Sequence, residues 1–283
     1  VGLAASPKLV PASNLKRAAG LSPAWPFGSV LLVTVSRYDT IGYQYSATRR
    51  EDPQLRDRIL RGLGDSRTVV NVGAGTGSYE PHDRHVIAVE PSDVMAAQRP
   101  AGLAPAIRGS ASPLPLRDDS VDAAMAILTI HHWDDQLEPG VHELRRVARG
   151  PVIIVTFDPV VSGNMWLMRD YIPESAAVDQ ATFPTIDTLA TWLGGTVEVE
   201  PILTTRDTPD WTAASFWAHP ERVLNQAARN ATSAFARLEP SLINRVVTNM
   251  ERDLRDGTWD RRNGHLRGLS EYDAGMRLVV ADA

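Results

Sequence analysis

Short runs of apolar, mostly β-branched side chains recur along the chain between stretches of mixed polarity. They lie at roughly residues 68–73, 85–90, 105–108, 121–128, 151–157, 196–202 and 276–281. Such runs, alternating with helical or loop segments, predict a parallel α/β sheet, here of seven strands. Between the fourth and fifth runs, Val141, Leu144, Val147 and Ala148 share one helical face, while Glu143, Arg145 and Arg146 lie elsewhere. That is the pattern of a helix lying on a sheet.

The first run enters a glycine-rich turn, Val69-Val70-Asn71-Val72-Gly73-Ala74-Gly75-Thr76-Gly77, and the second ends on a carboxylate, His85 to Glu90 followed by Pro91 and Ser92. Glycines let backbone approach a ligand at the carboxyl edge of a parallel sheet, and an acid at the end of the next strand accepts two ribose hydroxyls. The layout therefore points to a nucleotide-type site. A dinucleotide fingerprint would need glycine where Ser78 stands, and a phosphate loop would need a Gly-Lys-Ser/Thr ending, yet no lysine follows Lys16. Only seven residues separate Gly77 from His85, with Pro81 among them, so the first helix is at most one turn long.

The segment from Val69 to Gly77 resembles the first signature of the class I S-adenosylmethionine (SAM) methyltransferases, whose cofactor is a nucleoside carrying an amino acid and no phosphate. Further residues match in order. Arg108-Gly109-Ser110-Ala111-Ser112-Pro113-Leu114-Pro115-Leu116-Arg117-Asp118-Asp119-Ser120-Val121-Asp122 is similar to the family's adenine-lining segment, and His131-His132-Trp133-Asp134 to its segment facing the methyl group. The resemblance covers about residues 38–160. It implies a Rossmann-like, mostly parallel seven-stranded sheet with helices on both faces and an N-terminal lid over residues 36–63. Beyond it, the aromatic-rich stretches 160–190 and 203–270 depart from the plain family pattern and read as helical cap segments over the acceptor, inserted before the last strand. Two departures stand out: Asn71 occupies the position of an acid that helps orient the methionine ammonium, and Ser110 the position of a common aspartate.

By this resemblance Glu90 binds the ribose, and Asn71, Gly73, Ala74, Gly75, Gly77, Pro91, Ser110, Ala111 and Leu128 line the cofactor. In the lid, Tyr38, Tyr43 and Tyr45 offer ring faces that attract a sulfonium, and Arg49 a guanidinium for the methionine carboxylate. Tyr43 and Arg49 are assigned to the cofactor and Tyr45 to the acceptor, together with Trp133, Trp166 and Tyr171. His131 and His132 are candidates for a general base, because imidazole titrates near neutral pH. Asp134 and Asp135 are expected to cap the helix that follows, and Asp158 to cap a loop.

Composition narrows the acceptor. The 283 residues carry a formal net charge of −5, which argues against wrapping nucleic acid and favours a small organic acceptor. With no cysteine there is no disulfide and no thiolate metal site, and the adjacent histidines do not suit one ion, so no metal is expected. No run reaches the length of a membrane span. Residues 1–35 read as a flexible leader, since Pro23, Pro26 and Gly28 interrupt what would be a signal core, and a cytoplasmic location follows. The expected remainder, 36–283, is one domain, and apolar surface on the lid leaves a homodimer open. Arginine so outnumbers lysine that a GC-rich bacterial gene is indicated, which suits a natural-product tailoring enzyme. Competing readings are a catalytically silent SAM-fold protein and a SAM-fold enzyme that performs a non-methylating reaction.

Overall fold

The computed structural model describes residues 49–230 and 232–282; the expectations for the leader and for Tyr38, Tyr43 and Tyr45 lie outside them. Seven strands form one sheet: β1 (Thr68–Val72), β2 (His85–Glu90), β3 (Ala106–Arg108), β4 (Ala123–Ile127), β5 (Val152–Phe157), β6 (Val197–Pro201) and β7 (Met276–Ala281). Their order is β3-β2-β1-β4-β5-β7-β6. β1 to β5 pair in parallel, in registers such as Val70 opposite Ile87 and Ala124, whereas β7 runs antiparallel to both β5 and β6.

The central strands β1, β4 and β5 are apolar but for Thr68, Asn71 and Thr156, because both of their faces are covered. Their two-residue period sorts side chains between the two layers. Val70, Val72, Ala124, Ala126, Val152 and Ile154 face helices α3 (Leu137–Val147) and α6 (Ile186–Leu193), meeting Val141, Leu144, Leu189 and Leu193. Val69, Ala123, Met125, Ile153 and Val155 face α1 (Pro53–Leu63), meeting Leu55, Ile59 and Leu63. α1 starts where the Asp52 side chain accepts from the amides of Gln54 and Leu55, with Pro53 opening the first turn. The end of the 160–190 segment therefore belongs to the sheet's own cover.

β1 returns to β2 through turns alone, with no helix between Gly73 and Arg84, where the short spacing allows at most one turn of helix. After β2 comes the single helical turn α2 (Asp93–Ala96), capped by Ser92, whose hydroxyl accepts from the Met95 amide. The helix start at α3 differs from expectation. A 3-10 turn at Asp134–Gln136 leads into it, and neither Asp134 nor Asp135 caps it through a side chain. The turn already satisfies the leading amides through backbone bonds such as Gln136 to the Trp133 carbonyl at 2.8 Å. Asp158 does cap, accepting from Val160 and Val161 at the start of α4 (Pro159–Gly163).

Helices α5 (Pro173–Thr182), α7 (Gln226–Asn230), α8 (Ser233–Ala236), α9 (Pro240–Arg255) and α10 (Thr258–Asn263) belong to a second apolar cluster. Trp166 lies at its centre, edge-on to Tyr171 and Trp259 with ring centroids 5.6 and 5.4 Å away, and its Nε1 donates to the Trp217 carbonyl. A small ribbon, Thr204–Thr205 against Glu271–Tyr272, joins the entry and exit of the excursion between β6 and β7. Among the described residues, no helix is long and apolar enough to cross a membrane.

Candidate functional site

At the carboxyl end of β1 the chain turns so tightly that Gly73, Gly75 and Gly77 take φ values of 70°, 52° and 93°. This left-handed region favours glycine. A Cβ on Gly73 would overlap Thr129, and one on Gly77 would overlap Leu103. The amides of Gly73 and Ala74 both donate to the Val89 carbonyl, which pulls the turn onto the end of β2.

Glu90 closes the other side. It is 6% exposed; one carboxylate oxygen accepts from the Gly75 amide at 2.7 Å and the other from the Ser92 amide at 2.8 Å. A carboxylate only accepts hydrogen bonds, and hydroxyl groups are donors of the kind it binds. The carboxylate acceptor suits a vicinal diol and repels a phosphate. Pro91 follows, half-buried, at the exit of β2. Ser110 donates to the Ser112 carbonyl at 3.1 Å, and Ala111 packs in the sheet core.

Asn71 is 2% exposed, with its amide nitrogen donating to Glu80 at 2.9 Å and its oxygen, Oδ1, lacking a hydrogen-bond partner. A nucleoside with an ammonium-bearing tail fits a glycine turn that holds such an acceptor beside a buried acid. The sequence offered no sign that Glu80, beside Pro81 in the short loop, would be buried here. Its partner Arg99, beyond α2, was equally unmarked.

Beyond β4, Leu128 takes a left-handed φ of 54°, uncommon for a branched residue, while its amide donates to Val155. The next residues form a 3-10 turn, Ile130–His132, that carries both histidines. Their rings lie 3.8 Å apart, and His131 also stacks on Phe183 at 4.5 Å with an interplanar angle of 13°. Leu128 and His131 line a cavity whose empty space, counted together with the open solvent at its mouth, is about 660 Å³. Phe157, Phe183, Met165 and Met168 supply its apolar wall, and Asp179, Ser162, Thr212 and Ser233 polar points. Burial raises the Asp179 carboxyl above its ordinary value, opposed by the Arg237 guanidinium paired with it.

The other expected site residues separate into two groups. Arg49 lines the cavity and pairs with Asp210, which also accepts from the Tyr79 hydroxyl at 3.3 Å. Burial and that carboxylate raise the Tyr79 phenol above its usual range. Trp133, Trp166 and Tyr171, expected at the acceptor, do not line this cavity. Trp133 packs against Gly140 in the sheet core, where a Cβ at that glycine would come within 2.7 Å of the indole. Trp166 and Tyr171 fill the second apolar cluster, and the Tyr171 hydroxyl donates to buried Asp253 at 2.7 Å. Phe157, Phe183 and Asp179 take the wall positions instead. The aromatic content of residues 160–190 marked the region without showing which rings face inward.

Among the described residues, no group of three histidine or acidic side chains is placed to hold a metal ion. A family model described as a methyltransferase domain matches residues 70–155. Over 83% of this chain and 98% of the other, the structure is similar to that of a candidate methyltransferase from an antibiotic biosynthesis pathway of Anabaena variabilis, with 32% identity and a TM-score of 0.75. Fold alone is shared with phosphoethanolamine N-methyltransferase 2 of Haemonchus contortus, solved with S-adenosyl-L-methionine. There the identity is 16%, the TM-score 0.51, and the coverage 86% of this chain and 57% of that one. It is shared likewise with the [4+2]-cyclase SpnF, at 13% identity, a TM-score of 0.50 and coverage of 88% and 96%. None of the curated proteins matches the chain.

Proposed function

This chain belongs to the class I SAM-dependent methyltransferases, and from that premise we propose that it methylates an oxygen or nitrogen atom, with carbon as the third option, of a small organic acceptor in secondary-metabolite biosynthesis of the antibiotic type. The observation that carries the reading is the buried Glu90 carboxylate, bonded to the Gly75 and Ser92 amides at the mouth of a glycine turn that lacks the Gly-Lys-Ser/Thr ending of a phosphate loop. The antibiotic context rests on the Anabaena variabilis relative.

When bound, SAM supplies a methyl group activated by a sulfonium. Glu90 would accept from the ribose hydroxyls, and Asn71 from the ammonium of the methionine end. Displacement at a methyl carbon needs the acceptor held in line and water kept out, more than it needs acid chemistry. Phe157, Phe183, Met165 and Met168 suit the apolar body of an acceptor, while Asp179 and the hydroxyls of Ser162, Thr212 and Ser233 suit its polar groups. His131 lines this cavity with its ring plane held by Phe183, so it, rather than His132, is the proposed base for an acceptor that must lose a proton.

Calorimetric titration with S-adenosylhomocysteine, with NAD as control, tests the cofactor. One-site micromolar binding is expected, weakened about tenfold or more in Glu90→Ala because charge-assisted hydrogen bonds are lost. Absence of binding by the wild-type chain would overturn the reading. Acceptor screening by mass then looks for a gain of one methylene unit. His131→Gln should lower kcat about 100-fold or more on a hydroxyl or ammonium acceptor, with His132→Gln close to wild type. Equal losses in the two variants would remove the assignment. A cyclase with this fold favours a second reading, a non-methylating reaction, because a fold does not dictate chemistry. Its product would form without any mass gain from the cofactor.

A further inference from the structure

Beneath the glycine turn lies a buried ion pair that the ribose contacts do not use. Glu80 and Arg99 have side chains only 1% and 4% exposed and meet at 2.7 Å. The second Glu80 oxygen accepts from the Asn71 amide nitrogen at 2.9 Å. Arg99 also donates to the Ala104 carbonyl, at 3.1 Å from Nε and 2.9 Å from Nη2, and to the Gly75 carbonyl at 3.4 Å. The network thus spans the end of β1, the turn above it and the approach to β3.

The loop that delivers Glu80 is strapped on both sides. The Tyr79 amide donates to Glu51 at 2.6 Å, and the Glu80 carbonyl accepts from Arg56 at 3.2 Å. Tyr79 itself stands at a left-handed φ of 66°. A helix in this stretch would carry the acid elsewhere.

A carboxylate only accepts hydrogen bonds, so Glu80 obliges Asn71 to turn its NH2 toward it. The Asn71 oxygen is then directed away from Glu80. That oxygen is buried and has no hydrogen-bond partner, a rare condition for a native side chain and one that a ligand donor would relieve. We infer that Glu80, locked by Arg99, is a positioning residue that sets the Asn71 amide with its oxygen as the acceptor for the ammonium group of the cofactor's amino-acid end. The inference rests on the SAM reading above. The acid absent at position 71 acts from position 80, one hydrogen bond further from the ligand.

The test compares calorimetric affinities for S-adenosylhomocysteine and for adenosine, which lacks the amino-acid end, in the wild type, Glu80→Gln, Asn71→Asp and the double variant. In Glu80→Gln the single acceptor oxygen goes to Arg99, the stronger charged donor, and the introduced NH2 then faces Asn71. Asn71 must turn over and aim a donor at the ammonium. S-Adenosylhomocysteine should bind about tenfold more weakly or worse, with adenosine unchanged within about twofold. Asn71→Asp alone sets two carboxylates against each other and should also weaken S-adenosylhomocysteine. In the double variant the amide at position 80 donates to the carboxylate at position 71, whose second oxygen stays available as an acceptor. Affinity should then return to within about threefold of wild type.

Unchanged S-adenosylhomocysteine binding in Glu80→Gln, equal losses for both ligands, or no recovery in the double variant would each overturn the inference. Should Glu80→Gln fail to fold, Asn71→Asp against the double variant decides alone, since adding Glu80→Gln to Asn71→Asp must then strengthen binding. A wild-type chain that does not bind S-adenosylhomocysteine would sink the cofactor reading instead, and is told apart by that result.

Discussion

Glu143 shows how one side chain can couple a helix to a loop that lines the candidate cofactor site. Its carboxylate accepts from the Leu114 amide at 2.6 Å and from Arg146 at 2.5 and 2.7 Å, so α3 holds the segment after Ser110 and Ala111. The Arg146 hydrogen bonds keep the carboxyl below its ordinary value. A pKa depressed on folding means stability that is present above the unfolded value of about 4.3 and is lost as pH falls through the lower folded value. Glu143→Gln should therefore cost about 1 kcal/mol at pH 7, and the gap to wild type should close below about pH 4. Urea unfolding at a series of pH values measures it, and a gap independent of pH would refute the coupling. Glu143 reads in the sequence only as a polar residue on an amphipathic helix, because its partner Leu114 lies far from it in the chain.

Among elements, the glycine turn separates two demands that look alike in the sequence. Gly73 combines a left-handed φ of 70° with an overlap of any Cβ on Thr129. Gly75 has a φ of 52° but meets only the Met95 methyl, at 3.4 Å. Gly73→Ala should cost about 3 kcal/mol or more, from strain plus steric displacement, and Gly75→Ala about 1 kcal/mol from backbone conformation alone. Denaturant titration of the two variants, with equal costs as the contrary outcome, checks the distinction. The central strands were legible nearly to their ends because each is buried on both faces and reads as a mostly apolar run, with Asn71 and Thr156 the polar residues inside it. That any helix between β1 and β2 is limited to about one turn was legible too, from Pro81 and the short spacing; that turns alone fill the gap was not. The start of α3 was not, since backbone bonds in a 3-10 turn leave no residue signature like that of a capping carboxylate.

For the molecule as a whole, one polar network ties together segments far apart in the chain. Asp210 pairs with Arg49 and accepts from Tyr79; the Tyr79 hydroxyl accepts from the Asp52 amide at 3.0 Å; and Thr208 donates to Asp52 at 2.7 Å. It links the approach to α1, the loop after the glycine turn and the excursion between β6 and β7. Asp210→Asn removes the charge that holds Arg49 while keeping the shape of the side chain. Hydrogen exchange should rise at residues 49–55 and 204–215 by about tenfold, with β1, β4 and β5 unchanged. Uniform loss of protection across the sheet would mean a global effect and would sink the idea of a local clamp.

What the sequence by itself determined is what short-range patterns encode: the strand runs, the glycine turn, the acid at the end of β2, and with them the candidate site edge and the family. These depend on burial of each strand and on local backbone geometry, which residue type and spacing report directly. Only the tertiary structure decided which side chains face the cavity. Phe183 reaches it and Trp166 does not, although both lie in the same aromatic-rich stretch, because the packing of Trp166 against Tyr171, Trp217 and Trp259 consumes its faces in the second cluster. Likewise Glu80 comes to lie beside Asn71 only because Arg99, Glu51 and Arg56 converge on its loop from either side in sequence. Contacts of that range carry no local periodicity, and the fold alone brings them together.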